Sequence, residues 1–170
     1  MNIKEIKIKN FKSLYDVSFC PGNINVFIGA NGSGKSSVLE AIGVLSAAMT
    51  DRVNNNSLQR KGVRLSTSSL YKSQFRSIER SMPTVDFAMS WERNKNEYEY
   101  SVHLTTPADD DTWKYHSESV SKNGENVFGR SNRSSVQLNN KVGYYALSEK
   151  LNGEEYTDMG NYISGYGIYQ

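Results

Sequence analysis

The sequence predicts an α/β chain, an α+β lobe in which one apolar strand, a glycine-rich turn and a helix precede an antiparallel β meander. Three observations predict it. Ile24-Asn25-Val26-Phe27-Ile28 runs directly into Gly29-Ala30-Asn31-Gly32-Ser33-Gly34-Lys35-Ser36. Val38, Ile42, Leu45 and Met49 then recur at helical spacing, with Leu39 and Ala41 beside them. From Val85 onward the apolar period switches to two.

Taken in order, Ile6 and Ile8 alternate with Lys7 and Lys9, the pattern of an edge-like strand with one wet face. Asn10-Phe11-Lys12-Ser13 breaks it, Val17 and Phe19 continue a second strand, and Pro21-Gly22-Asn23 is a turn. The run Ile24 to Ile28 has the character of a buried strand feeding a loop. A helix is expected from about Lys35 to Met49, ending at Asp51 and the three asparagines that follow Val53. Residues 52–82 are Ser-rich and basic, with Arg52, Arg60, Lys61, Arg64, Lys72, Arg76 and Arg80 against Glu79 alone. Their weak periodicity predicts loop with one short helix near Tyr71 to Ser81.

Val85, Phe87, Met89 and Trp91 then share one strand face, Arg93 to Asn96 is a turn, and Tyr98, Tyr100, Val102 and Leu104 share the next. Trp113 and Tyr115 open a third strand, and Asn123-Gly124 is a strong hairpin signal. The aromatic residues of this meander read first as its core face, ahead of a base-stacking surface. Tyr144 to Leu147 is ambiguous between strand and helix, and the final thirty residues, rich in tyrosine and glycine, read as a segment broken off before any capping signal. The expected organisation is one lobe over 1–170: strands, loop and helix in 1–50, the basic segment 52–82, and mostly antiparallel strands in 83–170.

The chemistry sits in Gly29 to Ser36, which fits G-x-x-x-x-G-K-[ST] at every fixed position. Gly29, Gly32 and Gly34 allow backbone conformations that turn successive N–H groups, together with those of Asn31 and Ser33, toward one anion. The helix that begins near Lys35 adds the positive end of its dipole. Lys35, the candidate catalytic residue, offers an ammonium to β- and γ-phosphates. Ser36 offers a hydroxyl to Mg²⁺, and Ser37 reaches a further phosphate from the first helical turn. The expected cofactors are therefore ATP and Mg²⁺.

Composition narrows the rest. Of 170 residues 37% are apolar, and the mean hydropathy is −0.62. No run approaches the roughly 18 apolar residues of a membrane span. Met1 to Lys9 lacks the apolar core of a signal peptide, so no membrane role and a cytoplasmic location are expected. The single Cys20 excludes an internal disulfide. Residues 1–82 hold 12 Lys/Arg against 5 Asp/Glu, and the remainder 8 against 13. That asymmetry leaves room for DNA near the N-terminal half, although a nucleotide and solvated surface account for it more simply. His103 and His116 read as strand residues rather than a metal pair, and Asp109 to Asp111 as an acidic surface loop.

At Ile6-Lys7-Ile8-Lys9-Asn10-Phe11-Lys12-Ser13, Gly29 to Ser36 and Val38-Leu39-Glu40-Ala41-Ile42, the sequence resembles the ABC-type ATPase heads of the SMC, RecF and OLD group. Bacterial AAA-family ATPases of genome maintenance and anti-phage defence belong to the same group. The resemblance covers about residues 1–50 and implies that Lys12 and Ser13 lie beside the nucleotide. It also implies a homodimer in the full-length protein, with ATP held between two heads and each P-loop completed by the partner's signature segment. The chain departs from the group in having no apolar strand that ends in Asp-Glu and no clear signature; Leu147-Ser148-Glu149-Lys150 and Leu151-Asn152-Gly153-Glu154 only echo it. A C-terminal lobe beyond Gln170 is the expected home of both. Among rivals, a small GTPase would need Asn-Lys-x-Asp, and Asn140-Lys141-Val142-Gly143 falls one residue short. A small P-loop kinase would be α/β throughout. A nucleic-acid-binding module using residues 52–82 is the alternative of a different class.

Overall fold

A computed structural model describes residues 2–75, 83–108, 110–131, 139–143, 145 and 149–169. Its centre is a six-stranded, wholly antiparallel sheet in the order β2-β1-β3-β4-β5-β6. The strands are β1 (Asn2–Phe11), β2 (Leu14–Phe19), β3 (Val85–Arg93), β4 (Asn96–Thr105), β5 (Lys114–Lys122) and β6 (Glu125–Ser131). Helix α1 (Lys35–Thr50) packs on one face with α2 (Asn55–Arg60), α3 (Ser68–Tyr71) and α4 (Glu154–Ser164) around it.

The meander follows from period-two patterning. Val85, Phe87, Met89 and Trp91 of β3 and Tyr98, Tyr100, Val102 and Leu104 of β4 are all buried, and Trp91 stacks on Tyr98 at 5.4 Å. Asn94 and Lys95, both at positive φ, form the two-residue turn between them, and Asn123-Gly124 forms the next. The aromatic face is core, as the alternation predicts.

Three expectations are corrected. β1 is no edge strand: it lies between β2 and β3, and Ile6 and Ile8 are buried under α1. Its wet face still carries Lys7 and Lys9, because the described helices pack on the other side of the sheet. Residues 24–28 form no strand. Ile24, Val26 and Ile28 are 87%, 76% and 91% exposed, and only Phe27 finds an aromatic partner, Phe19 at 5.9 Å. A strand needs a neighbour for its backbone groups, and no described strand runs beside this one. The last thirty residues contain α4, whose Tyr156, Met159 and Ile163 face the core. Of the helix expected near Tyr71 to Ser81, the structure describes Tyr71, the last residue of α3, and residues 72–75, which are not helical; residues 76–82 lie outside those described. So do Tyr144 and residues 146–148, which the ambiguous segment and the first signature echo include. The second echo, Leu151 to Glu154, is the entry to α4, with Gly153 as its N-cap.

Candidate nucleotide-binding site

Helix α1 starts at Lys35 on Gly34, with no side chain capping its first turn and no acidic residue within it. Its leading N–H groups therefore remain available to an anion. Gly32 and Gly34 have φ of 84° and 95°, a left-handed backbone that glycine alone adopts without strain. A Cβ on Gly34 would also lie 3.1 Å from Ser13 Oγ and 3.2 Å from a methyl of Leu14, so the loop and the β1–β2 turn are in close contact. Lys35 Nζ donates to the carbonyl oxygens of Gly29 and Ala30, each at 2.7 Å, and lies 3.3 Å from Ser33 Oγ. Ser36 is exposed, beside a cavity of about 790 Å³.

That cavity gathers what the sequence scattered. Lys12, Ser13, Asn31, Gly32, Ser33, Gly34, Lys35, Ser36 and Ser37 all line it. Gly29 stands behind, holding Lys35 through its carbonyl. Lys12 and Ser13 are the two residues of the β1–β2 turn, since Phe11 pairs with Leu14 across it. Lys12 takes φ of 49°, an uncommon conformation for a residue with a side chain. The turn is held there by Lys12 N–H donating to Tyr71 O at 2.9 Å and by Asn10 Nδ2 donating to Thr84 O at 2.7 Å. Ser13 Oγ donates to Ser37 Oγ at 3.0 Å, tying the turn to the first turn of α1.

Sequence reasoning passed over the opposite wall. Arg64, Leu65, Leu70, Lys72 and Phe75 line the same cavity, and the three apolar members are partly exposed there. The signal was present as the positive excess of residues 52–82, which the sequence alone could not assign to a nucleotide rather than to DNA. Arg64 Nε donates to Glu40 Oε1 at 2.6 Å, and Lys61 Nζ reaches the carbonyl of Ser164. Each of these two cations is thus anchored at one atom, while the Arg64 side chain remains 64% exposed.

Glu40 is the acidic partner of Arg64 and Lys12, which line the cavity. Burial pushes its carboxyl up, but hydrogen bonds and charge from Arg64 and Lys12 outweigh burial and hold it below the usual carboxylate range. Among the described residues that line the cavity, none is Asp or Glu.

The donor set fits ATP and Mg²⁺. An uncapped helix start, two left-handed glycines and a lysine make a cradle for phosphate, and an exposed serine hydroxyl at the second helical position suits a magnesium ligand. His103 Nδ1 lies 2.9 Å from Asp86 Oδ1 in the sheet, and neither residue lines this cavity. No described helix is long and apolar enough to cross a membrane.

The chain is 44% identical over 59 residues to the DNA replication and repair protein RecF of Lysinibacillus sphaericus, a match covering 33% of this chain and 15% of that protein. It is 38% identical over 58 residues to RecF of Lactococcus lactis and 43% identical over 53 residues to RecF of Pseudomonas fluorescens. Those matches cover 33% and 31% of this chain and 16% and 14% of the relatives, so the aligned part spans a small fraction of the proteins it resembles. The resemblance to an SMC/RecF-like N-terminal lobe therefore holds. A family model described as "AAA ATPase domain" matches residues 1–97, more than half of the sequence, and the chain belongs to that family.

Proposed function

We propose that the chain binds ATP with Mg²⁺ through Gly29, Asn31, Gly32, Ser33, Gly34, Lys35, Ser36 and Ser37, flanked by Lys12 and Ser13. One observation carries the reading: nine of these ten residues, from two separate parts of the sequence, line one cavity at the start of an uncapped helix. Lys35 binds the β- and γ-phosphates by exchanging the Gly29 and Ala30 carbonyls for phosphate oxygens. Ser36 holds Mg²⁺, which when bound neutralises charge building on the phosphates. The chain's own residues supply positioning and positive charge. Activation of water needs a carboxylate, which the described cavity residues do not include.

In the longer protein this lobe serves an ATPase with an ABC-type head that engages a second head across ATP. The RecF relatives make DNA repair the favoured setting over phage defence, with DNA as partner and a cytoplasmic location. The nucleic-acid-module alternative would have to share its cations with this site, since Arg64 and Lys72 of the basic segment line the nucleotide cavity. Calorimetric titration of MgATP into the chain and into Lys35→Ala tests the reading. Saturable binding that the variant loses is expected, and equal affinity of the two would overturn it.

A further inference from the structure

Glu40 is a charged residue on the buried side of α1, with its side chain 3% exposed. An ionised carboxylate there is costly unless it is fully paired. It is paired twice: Oε2 accepts from Lys12 Nζ and Oε1 from Arg64 Nε, both at 2.6 Å. Lys12 belongs to the β1–β2 turn and Arg64 to the segment after α2, so three distant parts of the sequence meet on one carboxylate behind the phosphate cavity. Two cations on one anion leave a net positive charge at the cavity that Lys35 also lines.

The two cations are used differently. Lys12 is enclosed, with its ammonium also 3.3 Å from Arg64 O and 5.5 Å from the ring centres of Phe11 and Tyr71. Arg64 gives Glu40 its Nε alone. Its side chain is 64% exposed and lines the cavity, and no hydrogen bond to a described residue engages its two terminal nitrogens. A guanidinium anchored at Nε keeps the other edge of its planar fork for an oxyanion, which an ammonium cannot do. Backbone contacts support the anchor: the Arg64 N–H also points at Glu40 Oε1, 3.4 Å away, and the neighbouring Val63 packs tightly over Gly43, one turn along α1.

We propose that Glu40 is a positioning residue: it pins Arg64 at the cavity wall so that the terminal guanidinium nitrogens bind the triphosphate, and it ties the Lys12 turn to the same site. The inference rests on the nucleotide reading above and extends it to a phosphate ligand from outside the P-loop. Holding a long side chain in place before binding spares its ordering cost, so losing the anchor should weaken MgATP roughly threefold to tenfold.

The test is a double-mutant cycle on the full chain, with MgATP affinity and melting temperature measured for the parent, Glu40→Gln, Arg64→Ala and the double variant. Each single variant is expected to lose roughly threefold to tenfold in affinity, and the double variant no more than Arg64→Ala. Parent-like affinity in Arg64→Ala, or losses that multiply in the double variant, would overturn the proposal. If Glu40→Gln does not fold, Arg64→Lys decides, since it keeps the charge but cannot reach Glu40 and a phosphate together. It is expected to fall with Arg64→Ala, and parent-like affinity there counts against the idea. Lys35→Ala, measured alongside, separates the two levels: no loss in that variant removes the nucleotide reading itself, whereas loss there with an unaffected Arg64→Ala removes only the role of Glu40.

Discussion

Lys35 Nζ donates to the carbonyl oxygen of Gly29 at 2.7 Å, so the lysine of the phosphate loop is held by the residue that opens the loop. With Ala30 O also at 2.7 Å, the ammonium is already poised over the loop's concave side. Replacing it with alanine removes one charge-assisted phosphate contact and should weaken MgATP binding by about 2 kcal/mol or more. The core loses little, because Lys35 is not among its buried residues. An unchanged melting temperature with lost calorimetric heat is the expected pair of results.

Gly34→Ala should harm both fold and site. The residue sits at φ of 95°, and its new methyl would press on Ser13 Oγ and Leu14. A cost of about 1–3 kcal/mol is expected from the backbone conformation. Relief would move the β1–β2 turn away from α1, so ATP affinity should fall even at temperatures where the variant is folded. Thermal melts and titration on one preparation check both halves.

A second buried ion pair offers a control far from the nucleotide. Arg130 Nε and Nη2 donate to Glu118 Oε2 at 3.0 and 2.9 Å, Tyr100 Oη donates to Oε1 at 2.8 Å, and Arg130 Nη1 donates to Asn139 O at 3.1 Å. The pair thus joins β5 and β6 to residues 139–142. Arg130→Ala leaves Glu118 buried without its cation and should cost about 3–5 kcal/mol. Urea unfolding should show it as a lower midpoint. ATP affinity of the folded fraction should not change.

His103 gives the sheet a pH response. Its hydrogen bond to Asp86 raises its pKa above the ordinary histidine value, against the opposing effect of burial. Asp86 Oδ1 has a partner when Nδ1 carries the proton, and is otherwise a buried oxygen without one. A histidine raised on folding contributes stability that is full below its unfolded pKa, near 6.5, and fades as pH rises through the folded value. Melting temperature should therefore decline from about pH 6.5 upward, and the decline should vanish in His103→Gln. An identical slope in parent and variant would assign the response to other groups.

Turnover by this chain alone should be hardly measurable. The described cavity residues provide lysines, an arginine, serines and backbone N–H groups, but no carboxylate to orient an attacking water. Phosphate release from MgATP, compared between the chain and Lys35→Ala, should be near background in both. A strong signal lost in the variant would place a catalytic acid at the site.

Much of the site was legible because its chemistry is local. The spacing of Gly29, Gly32, Gly34, Lys35 and Ser36 carries its own geometry, and strict alternation in β3 and β4 specifies which side chains go inward. The parts that were not legible depend on distant partners. Nothing near Glu40 in the sequence says that it will meet Arg64, 24 residues on, and Lys12, 28 residues back. The run Ile24 to Ile28 has a strand's composition, but composition cannot supply the neighbour. Helix α4 was hidden by the glycines at its caps and by Gly160 within it, where a Cβ would come within 3.3 Å of the Tyr145 ring, so packing rather than propensity explains that residue. Tyr156, Met159 and Ile163 had the spacing to reveal it.

Residues 21–30 carry no charge, and within them Ile24, Val26 and Ile28 turn apolar side chains to water while their backbone groups belong to no sheet. Such a stretch can template strand pairing between molecules. Concentrated solutions of the chain should consequently self-associate through it, turning thioflavin-positive on standing. A lysine in place of Val26 should act as a gatekeeper and delay that onset, while leaving the sheet and α1 as they are.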